Sequence, residues 1–278
     1  MDVKANLLIL FILTFSACSP YKIILSNSVL PSIYFEEKIK KIEKEDASFQ
    51  KNRDLIKTKI EYSYGVILEN NDRIIEDDYL STIKNNEKAY KIFKEVQHLC
   101  FINLNSSDLK FDDQMDLIKE NNFKKENIYE LYYLAASLGG AIKTSQGDPK
   151  ELINFPKIGK LLKKAIKIDP KWNNGALQSA MMSYTASRMD ISRKAIKDTV
   201  NSYFKKACDY SNSLDASIFV SYAELIHKPD QNKADFIKTL EKSLLINTEK
   251  NSYFKISNII AQRRAKWLLS NLEDYFIE

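Results

Sequence analysis

The chain has 278 residues, 44% hydrophobic and 28% charged, a composition typical of globular proteins that excludes a disordered chain. Its net charge of +5 arises from 42 basic and 37 acidic residues, which are interleaved in runs such as 36–44. A nucleic-acid-binding protein concentrates basic residues on one face with aromatic residues between them, and no segment here does so. We therefore expect no nucleic-acid partner.

The first 17 residues have the pattern of an export signal. Lys4 precedes an apolar run at 7–13 that is too short to span a bilayer comfortably. Two small residues then stand directly before Cys18, an arrangement that resembles the lipobox at which bacterial lipoproteins are cleaved. We predict a signal peptide over 1–17 and lipid attachment at Cys18, with the further acylation that stable anchoring requires. The alternative is an ordinary secretory signal in which Cys18 has no role.

The lipoprotein interpretation predicts a membrane-anchored protein of the cell envelope that faces the periplasm. Ser19 favours the outer membrane under a sorting rule that does not hold in every lineage, so the inner membrane stays open as an alternative. The predicted organisation is a lipidated tether at 18–34 followed by a single helical domain at 35–278. In an oxidising compartment Cys100 and Cys208 can form a disulfide, but their apolar surroundings favour two free cysteines that pack as small hydrophobes.

Apolar residues recur at helical spacing along the mature chain. A first amphipathic helix is expected at 33–42, a second at about 54–70 and a third at about 85–104. Glycine and proline number only six each, which argues against the many turns of an all-β protein. The sequence thus favours an all-α fold.

A fourth helix is predicted over 126–144, and its small residues allow two interpretations. Four of them lie on neighbouring turns of that helix: Ala135, Ala136, Gly139 and Gly140. They either permit tight helix packing inside the monomer, the favoured interpretation, or leave space for a ligand or another subunit beside Tyr132 and Tyr133. A loop is expected after this helix at 147–149.

Three segments in the second half of the chain resemble one another. They lie at 161–169, 203–211 and 239–247, and they carry small residues at Ala165, Ala207 and Ser243, separated by 42 and 36 residues. These separations are close to the period of about 34 residues in tetratricopeptide repeats. Pro170 is expected to end one helix and the Asn-rich segment after it to cap the next. We predict tetratricopeptide-like stacked helical hairpins, an α-solenoid with a concave binding surface.

Two stretches of sequence point to a known family. The first, at 129–177, runs from YELYYLAASLGGAIKT through two Asp-Pro turns to NNGAL. The second, at 260–276, is IAQRRAKWLLSNLEDYF, and its Arg-Ala-x-Trp-Leu-Leu ending is the most specific feature. Both resemble the T component of tripartite ATP-independent periplasmic (TRAP) transporters, a tetratricopeptide-like lipoprotein family. The loop at 187–190 departs from the Pro-Gly or Gly-rich loop of that family.

This resemblance implies a periplasm-facing accessory subunit of a TRAP-type transporter. It implies a homotrimer with an internal pore, which docks a periplasmic solute-binding protein and binds or conducts a hydrophobic solute. Trp267, Arg263 and Arg264 are candidates for a docking site, but the favoured interpretation is a core aromatic residue and two solvated arginines. The sequence does not indicate which residues bind the solute.

No catalytic, cofactor or metal site is expected. The two histidines, His98 and His227, do not stand at metal-ligand spacing, and no nucleophile elbow or phosphate-binding loop is present. Carboxylate pairs at 77–78 and 112–113 fall in predicted loops, where a solvated surface is the simpler explanation. The alternative to a transporter subunit is therefore another binding protein, a generic tetratricopeptide lipoprotein scaffold for cell-envelope or outer-membrane assembly.

Overall fold

The computed structural model describes residues 30–106 and 123–277, with 108, 113, 115 and 116 between them. Every regular element in these segments is helical, which confirms the all-α prediction. The α-helices are α1 (Leu30–Glu43), α2 (Phe49–Tyr62), α3 (Glu69–Ile74), α4 (Tyr79–Asn103), α5 (Ile128–Thr144), α6 (Pro149–Leu152), α7 (Phe155–Ile168), α8 (Trp172–Ala186), α9 (Arg193–Tyr210), α10 (Ala216–Tyr222), α11 (Lys233–Leu244) and α12 (Lys255–Ser270). Two π-helical segments, Ser63–Leu68 and Ala223–His227, continue α2 and α10.

Side-chain caps make two helices longer than their apolar pattern predicts. The Ser48 side chain accepts a hydrogen bond from the backbone N–H of Lys51, so α2 begins before position 54. Asp78 likewise accepts from the backbone N–H of Ser81, so α4 begins before position 85. A capping oxygen accepts a hydrogen bond from a backbone N–H that the first helical turn leaves unpaired. The helix can therefore begin before the first residue of its apolar stripe.

Consecutive helices pack against each other as hairpins, and this confirms the predicted stack. The order of contact is α1 with α2, α2 with α4, α4 with α5, α5 with α7, α7 with α8 and α8 with α9, while α10, α11 and α12 pack as a group of three. Fully buried apolar side chains fill the largest core between α2 and α8, among them Val96, Leu131, Leu134 and Leu161. A separate cluster around Phe236 and Leu240 fills the C-terminal group.

The three small residues of the repeat occupy equivalent buried positions. Ala165, Ala207 and Ser243 lie near the ends of α7, α9 and α11, and each is fully buried. At the second of them, a Cβ atom built on Gly175 would lie 3.1 Å from the backbone oxygen of Ala207, so α8 begins close against α9. The repeat therefore marks positions at which a small side chain allows the neighbouring helix to approach closely.

The Asn-rich segment after Pro170 has a role other than the predicted cap. Asn173, Asn174 and Gly175 have φ values of 54°, 53° and 94°, and no side chain caps α8. Asparagine and glycine adopt this left-handed backbone region at lower cost than other residues. The segment therefore forms a kink within the first turn of α8, and the capping prediction was wrong.

The last long helix returns to the first part of the chain. Ile256, Ile259 and Ile260 of α12 pack with the apolar cluster that contains Phe35 and Tyr62. A Cβ atom on Gly65 would lie 2.9 Å from the Cδ1 atom of Ile260, so glycine is what permits this close approach. The ends of the helical array therefore meet along α2, α3 and α12.

Three side chains of α12 complete this junction, which we call the closing seam (Arg263, Arg264 and Trp267 against α3). Arg264 bonds Asp72 at 2.9 Å and Glu224 at 2.7 Å, and Arg263 lies 3.6 Å from Glu69. The Arg264 guanidinium also sits 4.7 Å from the centre of the Trp267 ring. The prediction of solvated arginines was wrong, because Arg264 is only 14% exposed and joins two distant helices.

The first helix begins at Leu30, and its Pro31 and Phe35 are buried. Residues 30–34, assigned to the tether from the sequence, are therefore helical. The predicted signal peptide and Cys18 lie outside the described residues.

Candidate ligand cleft

One face of α2 carries polar and aromatic residues toward the inside of the closed array. Asp54, Lys57, Glu61 and Tyr64 follow one another at intervals of three or four residues, which places them on one helical stripe. A cavity of about 320 Å³ opens against this stripe, between α1, α2 and the start of α12. Its lining consists of Lys38, Ile42, Asp54, Lys57, Thr58, Glu61 and Ile256.

The π-helical segment after α2 places Tyr64 next along the stripe after Glu61 and directs it toward α5. The Tyr64 hydroxyl donates a hydrogen bond of 2.8 Å to the backbone oxygen of Ala136 in α5. A π-helical turn holds an extra residue and often marks a functional position. Here it presents Tyr64 to α5 while the next residue, Gly65, contacts α12.

Aromatic side chains of α5 and α8 form a wall of contacting rings that is separate from the lining of this cavity. The Tyr132 ring lies 5.0 Å from the ring of Tyr133 and 5.1 Å from that of Trp172. Tyr129 continues the group at 4.5 Å from Tyr133. These separations fall in the range in which aromatic rings attract one another, so the wall is a preformed apolar surface.

A circuit of contacts links the α2 stripe to this aromatic wall. It runs from Tyr64 to α5, from Tyr132 to Trp172, from Asn173 to the hydroxyl of Tyr253, and from α12 back to Gly65. Tyr64 keeps 37% of its surface accessible although this circuit surrounds it. We call the region inside this circuit the interior cleft and define it by Glu61, Tyr64, Tyr132, Trp172 and Tyr253.

The protein surroundings of the cleft disfavour charge. Burial raises the pKa of Tyr132 to about 12, with a smaller contribution from the negative charge of Asp215. Burial also raises the pKa of Glu61, against the opposing effect of Lys57, and it raises the pKa of Asp215 despite the hydrogen bonds from Ser217. An apolar or aromatic ligand would therefore lose little solvation on entering this space, whereas an anion would be disfavoured.

The small residues of α5 lie on two different faces of the helix. A Cβ atom on Gly140 would lie 2.4 Å from the Phe93 ring, which confirms tight packing inside the monomer on that face. On the other face, a Cβ atom on Gly139 would meet the Tyr64 hydroxyl at an ordinary 3.6 Å. Gly139 and Ala136 thus border the interior cleft beside Tyr132, whereas Gly140 and Ala135 belong to the core.

Sequence analysis identified Tyr132 and Tyr133 but missed Glu61, Tyr64, Trp172 and Tyr253 as cleft residues. Their separation in the chain hides the grouping, because they lie on α2, α8 and the turn before α12. The one local signal was the Tyr-Gly pair at 64–65, since a glycine inside a helical pattern often has a packing reason.

The other residues singled out from the sequence make packing or capping contacts where the structure describes them. Cys100 and Cys208 are free cysteines, as favoured from the sequence. His227 packs edge-on against Tyr222 at 5.0 Å, and burial lowers its pKa. Asp78 caps α4, and Asp112 lies outside the described residues. Among described residues, no group of three metal-binding side chains occurs.

The architecture defines a class of all-α helical-repeat proteins. A sequence model of the family described as TRAP transporter T-component matches residues 41–276, and the chain belongs to that family. That description is of a component of TRAP transporters. Within the described residues, none of the helices is both long and apolar enough to cross a membrane.

One curated relative shares a shorter stretch. It is an uncharacterized protein of Treponema pallidum (strain Nichols), 25% identical over 118 residues. The matched stretch covers 42% of this chain and 36% of that protein.

Proposed function

We propose that this chain is a periplasm-facing lipoprotein, anchored through a lipid on Cys18, that docks the solute-binding protein of a TRAP transporter. Two observations support the proposal: the family match over 41–276 and the small residues directly before Cys18. The matched region is a helical-repeat domain, a class whose concave surfaces commonly bind proteins. The subunit acts as a binding and transfer component rather than an enzyme.

The interior cleft is the proposed binding place for a hydrophobic solute. The observation that carries this step is the wall of Tyr132, Tyr133 and Trp172, which is aromatic and faces an accessible space. Ligand sites are commonly concave, mostly apolar and preformed, with a few polar groups that orient the ligand. Glu61 and the Tyr64 hydroxyl supply such groups at the margin.

The docking proposal is tested by crosslinking the native lipoprotein in its own cells, purifying it and identifying its partners by mass spectrometry. Recovery of a TRAP solute-binding protein supports the transporter role. Recovery of outer-membrane assembly factors alone would overturn it and favour the scaffold alternative. Sedimentation of the purified chain tests the proposed homotrimer, which a monomer at all concentrations would refute.

The solute proposal is tested by extracting purified protein with organic solvent and analysing the extract. Gly139→Phe should fill the cleft against Tyr64 and abolish co-purification of an apolar molecule, while Gly139→Ala, which adds only an ordinary contact, should retain it. Equal amounts in both variants would place the solute elsewhere. Unchanged far-ultraviolet circular dichroism would show that Gly139→Phe still folds.

The anchor is tested separately by metabolic labelling with a fatty acid. Cys18→Ser should abolish incorporation, and retained label would refute lipid attachment at this residue. Cys208→Ser is the matched control, because Cys208 lies within the helical domain on α9.

A further inference from the structure

The turns of the stack collect at two ends of the molecule. Because consecutive helices run in opposite directions, the start of α1 shares one end with the α3–α4, α5–α7, α8–α9 and α10–α11 turns. Contacts link neighbours around this end: Arg193 Nε donates to Asp230 Oδ1 at 2.9 Å, and Gln231 Nε2 donates to the backbone oxygen of Tyr275 at 3.0 Å. We call it the tether end, because Leu30 lies there.

Large apolar side chains protrude from these turns. They are Ile75, Tyr79, Leu80, Leu152, Ile153 and Met189, which we call the apolar rim. Met189 is 100% exposed, Ile153 72% and Leu80 70%. Among the described residues of the opposite end, Leu245 is 84% exposed, and Phe49 and Tyr253 are about half exposed at 48% and 51%, so that end presents fewer such side chains. Single exposed apolar residues are ordinary on a protein surface, but six on the adjacent turns of one end are not.

We propose that the apolar rim inserts into the surface of the lipid bilayer that holds the anchor, so that the tether end faces the membrane. This inference rests on the proposed lipid at Cys18. The rim residues stand at the tips of separate turns rather than along a groove, a form suited to shallow insertion among lipid headgroups. Apolar groups of peripheral proteins typically enter the boundary between headgroups and acyl chains by about 5–10 Å.

The length of chain before α1 supports this orientation. Twelve residues, 18–29, separate the proposed lipid from Leu30. Twelve residues span at most about 40 Å when fully extended, and about 20 Å if they behave as a flexible chain. The opposite end lies one long helix further away, about 35 Å for α4. Anchoring with that end toward the membrane would require nearly full extension of the tether, which is entropically costly.

The charges of the tether end indicate which lipids it fits. Acidic residues flank the rim, including Asp77, Asp148 and Asp190, and Asp190 is paired with Arg188. Basic residues also lie in these turns, at Lys150, Arg188 and Lys228, but the acidic residues outnumber them, so the turns present no excess of positive charge to anionic headgroups. Insertion should therefore depend on apolar contact. It should occur as well in zwitterionic phosphatidylcholine as in membranes that contain anionic lipid.

The experiment uses the full acylated chain in phosphatidylcholine vesicles that contain a lipid with a diazirine in its acyl chain. After illumination, mass spectrometry should find lipid adducts on peptides that contain Ile153 and Met189, and none on the peptide that contains Leu245. The double variant Ile153→Asp, Met189→Asp should lower labelling at Leu80 by about tenfold or more, whereas Leu245→Asp should not. Adding anionic lipid should not increase the yield.

The outcomes separate this inference from the proposed anchor. If the chain is not acylated in cells, the same vesicles are tested with residues 18–278 coupled to a maleimide lipid through Cys18, with the C208S change. Rim labelling there supports the orientation although the natural anchor has failed. Adducts confined to Leu245, equal labelling of both ends, or crosslinks between two chains at the rim would overturn the inference whether or not Cys18 is acylated.

Discussion

The core around α5 and the closing seam hold the molecule together by different means. Around α5, fully buried leucines such as Leu131 and Leu134 pack against the helices next to it in the stack. At the seam, arginines of α12 pair with carboxylates of α3 across a separation of 190 residues or more in sequence. The core around α5 follows from the local apolar pattern of the sequence. The closing seam depends on the tertiary structure, because it forms only where the first and last parts of the stack meet.

The two regions should therefore respond differently to mutation. Truncation in the core removes apolar burial and leaves a cavity, and both effects are large. Truncation at the seam removes partly exposed ion pairs, which contribute less. The four predictions below test this difference from the largest expected effect to the smallest.

Leu134→Ala should lower the free energy of unfolding by about 2–5 kcal/mol, because the leucine is fully buried between α5 and its neighbours. Urea denaturation followed by circular dichroism measures the change. Leu245→Ala is the matched control, and its effect should stay within about 0.5 kcal/mol because that leucine is exposed. Equal effects for the two variants would contradict the assigned core.

Gly140→Ala should destabilise the protein by about 1–3 kcal/mol, because the added methyl group overlaps the Phe93 ring. Gly139→Ala on the opposite face should instead be neutral or stabilise by up to about 1 kcal/mol, since alanine favours the helix and the contact there is ordinary. Thermal unfolding of the pair tests the division of α5 into two faces. Similar melting temperatures would refute it.

Arg264→Ala should cost about 1–2 kcal/mol, because it removes charged hydrogen bonds to Asp72 and Glu224 and contact with the Trp267 ring. Hydrogen exchange should increase selectively at α3 and α12 while the core around α5 stays protected. The control is Arg188→Ala, which breaks the exposed pair with Asp190 and should leave the free energy of unfolding nearly unchanged. Uniform loss of protection would show that the seam and the core unfold together.

Asp215→Asn should have the smallest effect on the free energy of unfolding. It should also make that free energy depend less steeply on pH. Burial raises the pKa of Asp215 in the folded state, so the folded protein binds this proton more tightly than the unfolded chain does. Its contribution to stability therefore falls as pH rises from the ordinary aspartate range through the raised pKa.

The asparagine carries no charge and can still accept from Ser217, so the cap of α10 is retained. Denaturation between pH 4 and pH 7 should show a shallower decline for the variant than for the native chain. An identical pH profile would mean that this carboxyl contributes nothing through titration. Ser217→Ala serves as control, because it removes one hydrogen bond and leaves the charge.

Residue patterns predicted the elements that depend on neighbouring positions. The apolar stripe of the third predicted helix indicated a buried face, and Ala89, Phe93 and Val96 are fully buried, whereas Ile92 and Leu99 of the same stripe are partly buried. Helix starts were less predictable, since Ser48 and Asp78 extend α2 and α4 through caps that carry no apolar signal.

The sequence by itself determined the all-helical stack, the small residues at Ala165, Ala207 and Ser243, and the family to which the chain belongs. The stack follows from periodicity over a few helical turns and from the repeat spacing, whereas the family follows from the resemblance of the stretches at 129–177 and 260–276. Tertiary structure alone decided that α12 returns to α3, that Arg264 pairs there, and that Tyr64 and Tyr253 help to close one cleft. These contacts join residues far apart in the chain, because the accumulated rotation of the stack, rather than any local pattern, brings its ends together.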